Sequence, residues 1–138
     1  MIEAADTPKK ILFICVGNAA RSQMAEGFAR HLGKGKIEPA SAGTEPESHV
    51  DPKAVAVMAE KGIDMSHQRP KMINLAEAEK ADMVITMGCD VEESCPLPLF
   101  KEQAVDWDLD DPKGKPLEKY RQIRDDIEKK VIKLLDSI

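Results

Sequence analysis

Aromatic residues are scarce in this chain of 138: one Trp, one Tyr and three Phe. So few rings do not build a base-stacking platform or a deep aromatic-walled pocket. An excess of positive charge is also lacking, with 20 Lys and Arg against 25 Asp and Glu and a formal net charge of −5. That balance argues against nucleic acid and against an anionic membrane as partners. No apolar run approaches the roughly 20 residues that span a bilayer. There are three cysteines, Cys15, Cys89 and Cys95, and an odd number makes a poor disulfide framework. The opening residues do not read as a secretory leader, so a cytoplasmic location is expected. Thiols there are buried and inert, metal ligands, or reactive. No Cys-x2-Cys occurs, and His31, His49 and His67 have no zinc-like spacing to the cysteines, so no metal is expected. Gly33-Lys34-Gly35 lacks the third glycine and the preceding strand of a dinucleotide loop, so no bound nicotinamide or flavin is expected either.

What is present describes one globular domain. The hydrophobic fraction is 42% and the charged fraction 33%, enough for a core at this length. Residues 1–8 are polar and aperiodic, a flexible lead-in; residues 9–138 form the domain. Ile11 to Val16 is apolar throughout, as in a central parallel strand. Met24, Ala25, Phe28, Ala29 and Leu32 then recur at helical spacing, with Gly33 as a C-terminal cap. Ile37 to Ala42 reads as a second strand. Asp51-Pro52 is an N-cap with proline at the first helical position. It starts a helix with Ala54, Val55, Met58 and Ala59 as its buried stripe and Gly62 at its end. A short helix at Leu75–Lys80 follows, then strands at Asp82–Met87 and Ala104–Trp107. Pro116 opens a long final helix. Strands alternating with helices give an α/β fold, a four-stranded parallel sheet flanked by helices. Ligands of such sheets sit beyond the carboxyl ends of the strands. Cys15, Cys89 and the run Asp106–Asp111 all reach that edge.

The segment Cys15-Val16-Gly17-Asn18-Ala19-Ala20-Arg21-Ser22 carries the chemistry. A cysteine leaves a buried strand, five residues turn the chain, and an arginine follows as a helix begins. Backbone N–H groups of Val16 to Ala20 can converge on an oxyanion, and the helix N-terminus adds its dipole. Arg21 offers a planar fork to two oxygens of a tetrahedral anion. Gly17 permits close backbone approach, and Asn18 tolerates an unusual turn conformation. Positive surroundings favour the nucleophilic thiolate of Cys15, and Ser22 can donate a hydrogen bond to it.

This loop resembles the phosphate-binding loop of low-molecular-weight protein tyrosine phosphatases and of the arsenate reductases that share their fold. The likeness extends over Ser41-Ala42-Gly43-Thr44, Gly62-Ile63-Asp64 with Ser66, Val84-Ile85-Thr86-Met87 and Asp111-Pro112. It implies that Cys15 is the nucleophile, Arg21 the oxyanion clamp, Asn18 the residue that shapes the loop and Ser22 the thiolate's partner. Asp111 would be the general acid, chosen over Asp106, Asp108 and Asp110 by the family's Asp-Pro. Many members carry a second cysteine in the loop, where this chain has Ala20.

Cys89-Asp90-Val91-Glu92-Glu93-Ser94-Cys95 separates the two activities, because a phosphatase needs no further thiols. Were it one helix, the two Cα atoms would stand about 10 Å apart. A disulfide needs less than about 7 Å, so oxidation requires unwinding. The resemblance to thioredoxin-coupled arsenate reductases implies a relay. Cys15 attacks arsenate, Cys89 attacks Cys15 and releases arsenite, and Cys95 attacks Cys89. An external dithiol, thioredoxin, then reduces the Cys89–Cys95 pair. The alternative is a phosphatase hydrolysing phosphomonoesters through a Cys15 phosphoenzyme. Phosphatases of this family grip the phosphotyrosine ring with aromatic residues, commonly just after the Asp-Pro. Here Lys113-Gly114-Lys115 follows, which favours a small inorganic oxyanion, arsenate or phosphate. A non-catalytic phosphate sensor would not need Cys, Arg and Asp together.

Overall fold

The computed structural model describes residues 8–88 and 104–138. Four parallel strands form the sheet: β1 (Lys9–Cys15), β2 (Ile37–Gly43), β3 (Met83–Thr86) and β4 (Ala104–Asp106). Their order is β2-β1-β3-β4. β1 is therefore central, which accounts for its apolar character on both faces: Ile11 to Cys15 are all buried. Alternate residues serve opposite sides. Ile11, Phe13 and Cys15 join the larger core with Phe28, Met58, Ile123 and Ile127, whereas Leu12 and Ile14 pack with Ala42, Ala78 and Val84.

Among the described residues four helices accompany the strands: α1 (Arg21–Leu32), α2 (Pro52–Ala59), α3 (Leu75–Lys80) and α4 (Leu117–Ser137). The larger core draws on α1, α2 and α4, and the smaller one on α3. Asp51 caps α2 as expected, its carboxylate accepting from Lys53 N–H at 2.9 Å. The regular helix stops at Ala59, but its closure reaches Gly62. Gly62 N–H donates to Ala59 O and Ile63 N–H to Met58 O, and Gly62 has φ +77°. That paired pattern is the left-handed glycine closure of a helix end. The buried stripe of α2 is Ala54, Val57 and Met58, with Ala59 exposed, a phase slightly rotated from the expected one. Among the described residues no helix is long and apolar enough to cross a membrane.

β1 and β3 are neighbours, while the chain between them runs out through β2 at the far edge. The order reverses at this point, so the loop after β1 opens into a crevice at the strands' carboxyl edge.

Candidate active site

Cys15 ends β1 and Arg21 begins α1, so the expected loop sits at that crevice. Its carbonyls are held from outside. Val16 O accepts from Glu45 N–H, Gly17 O from Glu47 N–H and Ala19 O from Asp51 N–H, each at 2.9 Å. In a trans peptide the carbonyl and the next N–H point opposite ways. Turning these three carbonyls outward therefore turns the N–H groups of Gly17, Asn18 and Ala20 inward. Asn18 N–H accordingly reaches Cys15 Sγ at 3.1 Å. Asn18 has φ +49°, the left-handed turn for which asparagine is suited. Ala20, the N-cap of α1, offers no side-chain cap, and the first turn holds no acidic residue, so the positive end of the helix dipole there is not offset by a carboxylate of that turn.

The thiol is held by a chain of buried polar side chains with a fixed direction. Asn18 Oδ1 accepts from Lys71 N–H at 2.9 Å. That backbone donor settles which way the amide faces, so Asn18 Nδ2 donates to Ser22 Oγ at 2.7 Å. The one Ser22 proton is left for Cys15 Sγ, 2.9 Å away. Gln23 Nε2 donates to Asn18 Oδ1 and to Arg69 O, and Gln68 Nε2 donates to Gln23 Oε1 at 2.6 Å. Gln23 and Gln68 were invisible as site residues in the sequence. The available signal was a glutamine one residue ahead of an otherwise apolar helical stripe.

Arg21 is buried, and its Nη1 donates to Met87 O at 3.2 Å and Leu109 O at 2.8 Å. The loops after β3 and β4 thereby position the guanidinium. Gly88 makes room for this: a β-carbon there would stand 2.5 Å from Leu109 O and 2.9 Å from Arg21 Nη1. Gly43 plays the same part at the end of β2, where a β-carbon would come within 2.5 Å of Val16 O.

A cavity of about 30 Å³ lies in front of the loop. Cys15, Gly17 to Arg21 and Asp111 line it, together with Glu47, Asp51 and Lys113. Val16 and Ser22 are not among its lining residues: Ser22 acts on Cys15 from behind, and Val16 holds Glu45. Asp111 Oδ2 is 3.7 Å from Arg21 Nη2. The other acidic residues of that run point to other tasks. Asp106 accepts from Thr86 Oγ1, and Asp110 pairs with Lys119 at 3.0 Å. Asp51 accepts from the Tyr120 hydroxyl, and burial, reinforced by that carboxylate, pushes the phenol pKa up. Cys89 and Cys95 lie outside the described residues. Among the described residues no three His, Cys, Asp or Glu side chains gather to hold a metal ion.

The low molecular weight phosphotyrosine protein phosphatase family matches residues 10–138. A putative arsenate reductase of Halobacterium salinarum is 41% identical over 97% of this chain and 96% of its own length. The glutaredoxin arsenate reductase of a Synechocystis species is 44% identical over 94% of this chain and 98% of its own. A solved arsenate reductase in its phosphate-binding state superposes with a TM-score of 0.84 at 43% identity, covering 94% of this chain and 98% of that one.

Proposed function

Because the chain belongs to the low molecular weight phosphotyrosine protein phosphatase family, in its arsenate reductase branch, we propose that it reduces arsenate to arsenite through Cys15, Cys89 and Cys95. The observation that carries this reading is the cavity itself. It presents a thiol and an arginine in about 30 Å³, and among the described residues none that lines it is aromatic. That suits a small tetrahedral anion better than an aryl phosphate.

Cys15 Sγ, with hydrogen bonds from Ser22 and Asn18 N–H, attacks arsenic as the thiolate. Asp111 protonates the departing oxygen, which leaves as water, and Arg21 holds the remaining oxygens. Cys89 thiolate then attacks Cys15 Sγ. The sulfur–arsenic bonding pair stays with arsenic, which passes from the +5 to the +3 state and leaves as arsenite. A Cys15–Cys89 disulfide remains. Cys95 thiolate attacks Cys89, frees Cys15 as thiolate and moves the disulfide to Cys89–Cys95. The enzyme is recycled by a dithiol protein. In this reading thioredoxin is that protein and the cytoplasm, which keeps it reduced, is the location. The name of the Synechocystis relative makes glutaredoxin the donor to compare with it.

Cys15→Ser abolishes both arsenate reduction and aryl phosphate hydrolysis. Cys89→Ser and Cys95→Ser each abolish multiple-turnover reduction while sparing hydrolysis. Titration after one equivalent of arsenate reads the same relay: two of the three thiols disappear. If both serine variants still turn arsenate over with a dithiol donor, the three-thiol reading is wrong.

A further inference from the structure

The mouth of the cavity is bordered by two charged side chains that the relay does not use, Glu47 and Lys113. Glu47 is fixed to the loop by its own N–H, which donates to Gly17 O at 2.9 Å. Its carboxylate lies over Gly17, 2.9 Å from where a β-carbon would stand. Lys113 Nζ reaches that carboxylate at 2.9 Å, across 66 residues of sequence. Lys113 N–H in turn donates to Asp111 Oδ1 at 3.0 Å, and Asp111 faces Arg21. The contacts run in a chain across the mouth: Gly17, Glu47, Lys113, Asp111, Arg21. The carboxylate of Glu47 also raises the Lys113 pKa above its ordinary value, which keeps that ammonium charged at neutral pH.

A tetrahedral oxyanion gripped by the loop and Arg21 directs its remaining oxygen toward this rim. In arsenate or phosphate that oxygen carries a proton or nothing. In a phosphomonoester it carries an organic group, which must occupy the space that Glu47 and Lys113 bridge. We propose that the Glu47–Lys113 ion pair is the selectivity rim of the pocket, admitting a free tetrahedral oxyanion and turning away its organic monoesters. The inference rests on the arsenate reductase reading and names the pair that makes the site selective. As an exposed ion pair it contributes little to stability; its role is steric and electrostatic.

The test compares para-nitrophenyl phosphate hydrolysis with competitive inhibition of that hydrolysis by inorganic phosphate. Four full-length proteins are needed: wild type, Glu47→Gln, Glu47→Ala/Lys113→Ala, and the charge swap Glu47→Lys/Lys113→Glu. Opening the rim raises kcat/KM for the ester by about tenfold or more, the scale on which pocket shape discriminates substrates. The phosphate inhibition constant moves by less than about threefold in that variant, since the loop and Arg21 supply most of the anion's binding. The swapped pair returns ester turnover toward the wild-type value. Glu47→Gln, nearly isosteric, moves in the same direction as the double alanine variant and judges the rim if that variant does not fold. Unchanged ester turnover, or ester and phosphate changing in parallel, overturns the proposal. Arsenite production by the wild type is measured separately, so failure of the reductase reading shows up independently of the ester-to-phosphate ratio.

Discussion

At the residue scale the proposed nucleophile depends on one hydroxyl proton. Ser22 receives a hydrogen bond from Asn18 Nδ2 and has a single proton to give, and Cys15 Sγ is 2.9 Å away. A hydrogen bond to a charged group is worth roughly 1.5–3 kcal/mol, so its loss slows a thiolate-dependent step by about 10–100-fold. Ser22→Ala is expected to lower single-turnover arsenate consumption by that factor, and Ser22→Thr, which keeps a hydroxyl, to recover most of it. Equal losses in both variants would mean that packing, not the proton, is what Ser22 provides. The sequence singles out Cys15, Asn18, Arg21, Ser22 and Asp111 as candidates because they fall in one short motif and one Asp-Pro, and the structure brings these five together at one crevice. Glu47, Gln23, Gln68 and Lys113 were not legible as site residues. Gln23 meets Asn18 five residues away, but the partners that complete these contacts, Gln68 on Gln23 and Lys113 on Glu47, lie 45 and 66 positions off, which nothing local encodes. Gly17 also proved to serve a different need from Asn18. It leaves room for the Glu47 carboxylate, whereas Asn18 supplies the positive φ.

At the scale of elements, the strands and helices were legible wherever burial dictated composition. β1 had to be apolar on both faces because it is central, and α4 showed its stripe because its outer face meets water. The phase of α2 was hidden. Its sequence is apolar on nearly every side, so Ala54 with Val57 and Ala54 with Val55 fit a 3.6-residue period about equally well. What fixes the phase is α4. Arg124 Nη1 donates to Val57 O and to Glu60 Oε1, and Arg121 also pairs with Glu60 at 2.8 Å. Hydrogen bonds from Arg121 and then Arg124 lower the Glu60 pKa from 4.5 to about 2. A carboxyl whose folded pKa is depressed stabilises the fold above its unfolded pKa, and the gain disappears as pH falls through the folded value. Glu60→Gln should therefore lower the melting temperature at neutral pH. The gap to wild type should narrow between pH 4.5 and about 2. A gap that stays constant over that range would show that the pairing with α4 does not depend on the Glu60 charge.

At the scale of the whole molecule, the alternation of strands and helices announced an α/β sheet, and the order β2-β1-β3-β4 places its reversal beside Cys15. The consequence is that the candidate anion pocket draws on distant parts of the chain. Its wall combines the loop after β1, Glu47 and Asp51 before α2, and Asp111 and Lys113 before α4. Arg21 adds a tie to Met87 O and Leu109 O, beyond β3 and β4. An oxyanion bound there touches segments that must all be folded, so its binding energy is added to global stability. A ligand at one hundred times its dissociation constant stabilises by about 2.7 kcal/mol, which for a chain of this length raises the melting temperature by roughly 10 °C. Inorganic phosphate should produce that rise in calorimetry of the reduced protein. Arg21→Lys keeps the charge but loses the planar fork that reaches two carbonyls and an oxyanion together. It should remove most of the rise while the variant still unfolds in one transition. A full phosphate-dependent rise in Arg21→Lys would mean that the loop amides alone hold the anion, and the guanidinium would then be a structural tie between strand ends and not the clamp.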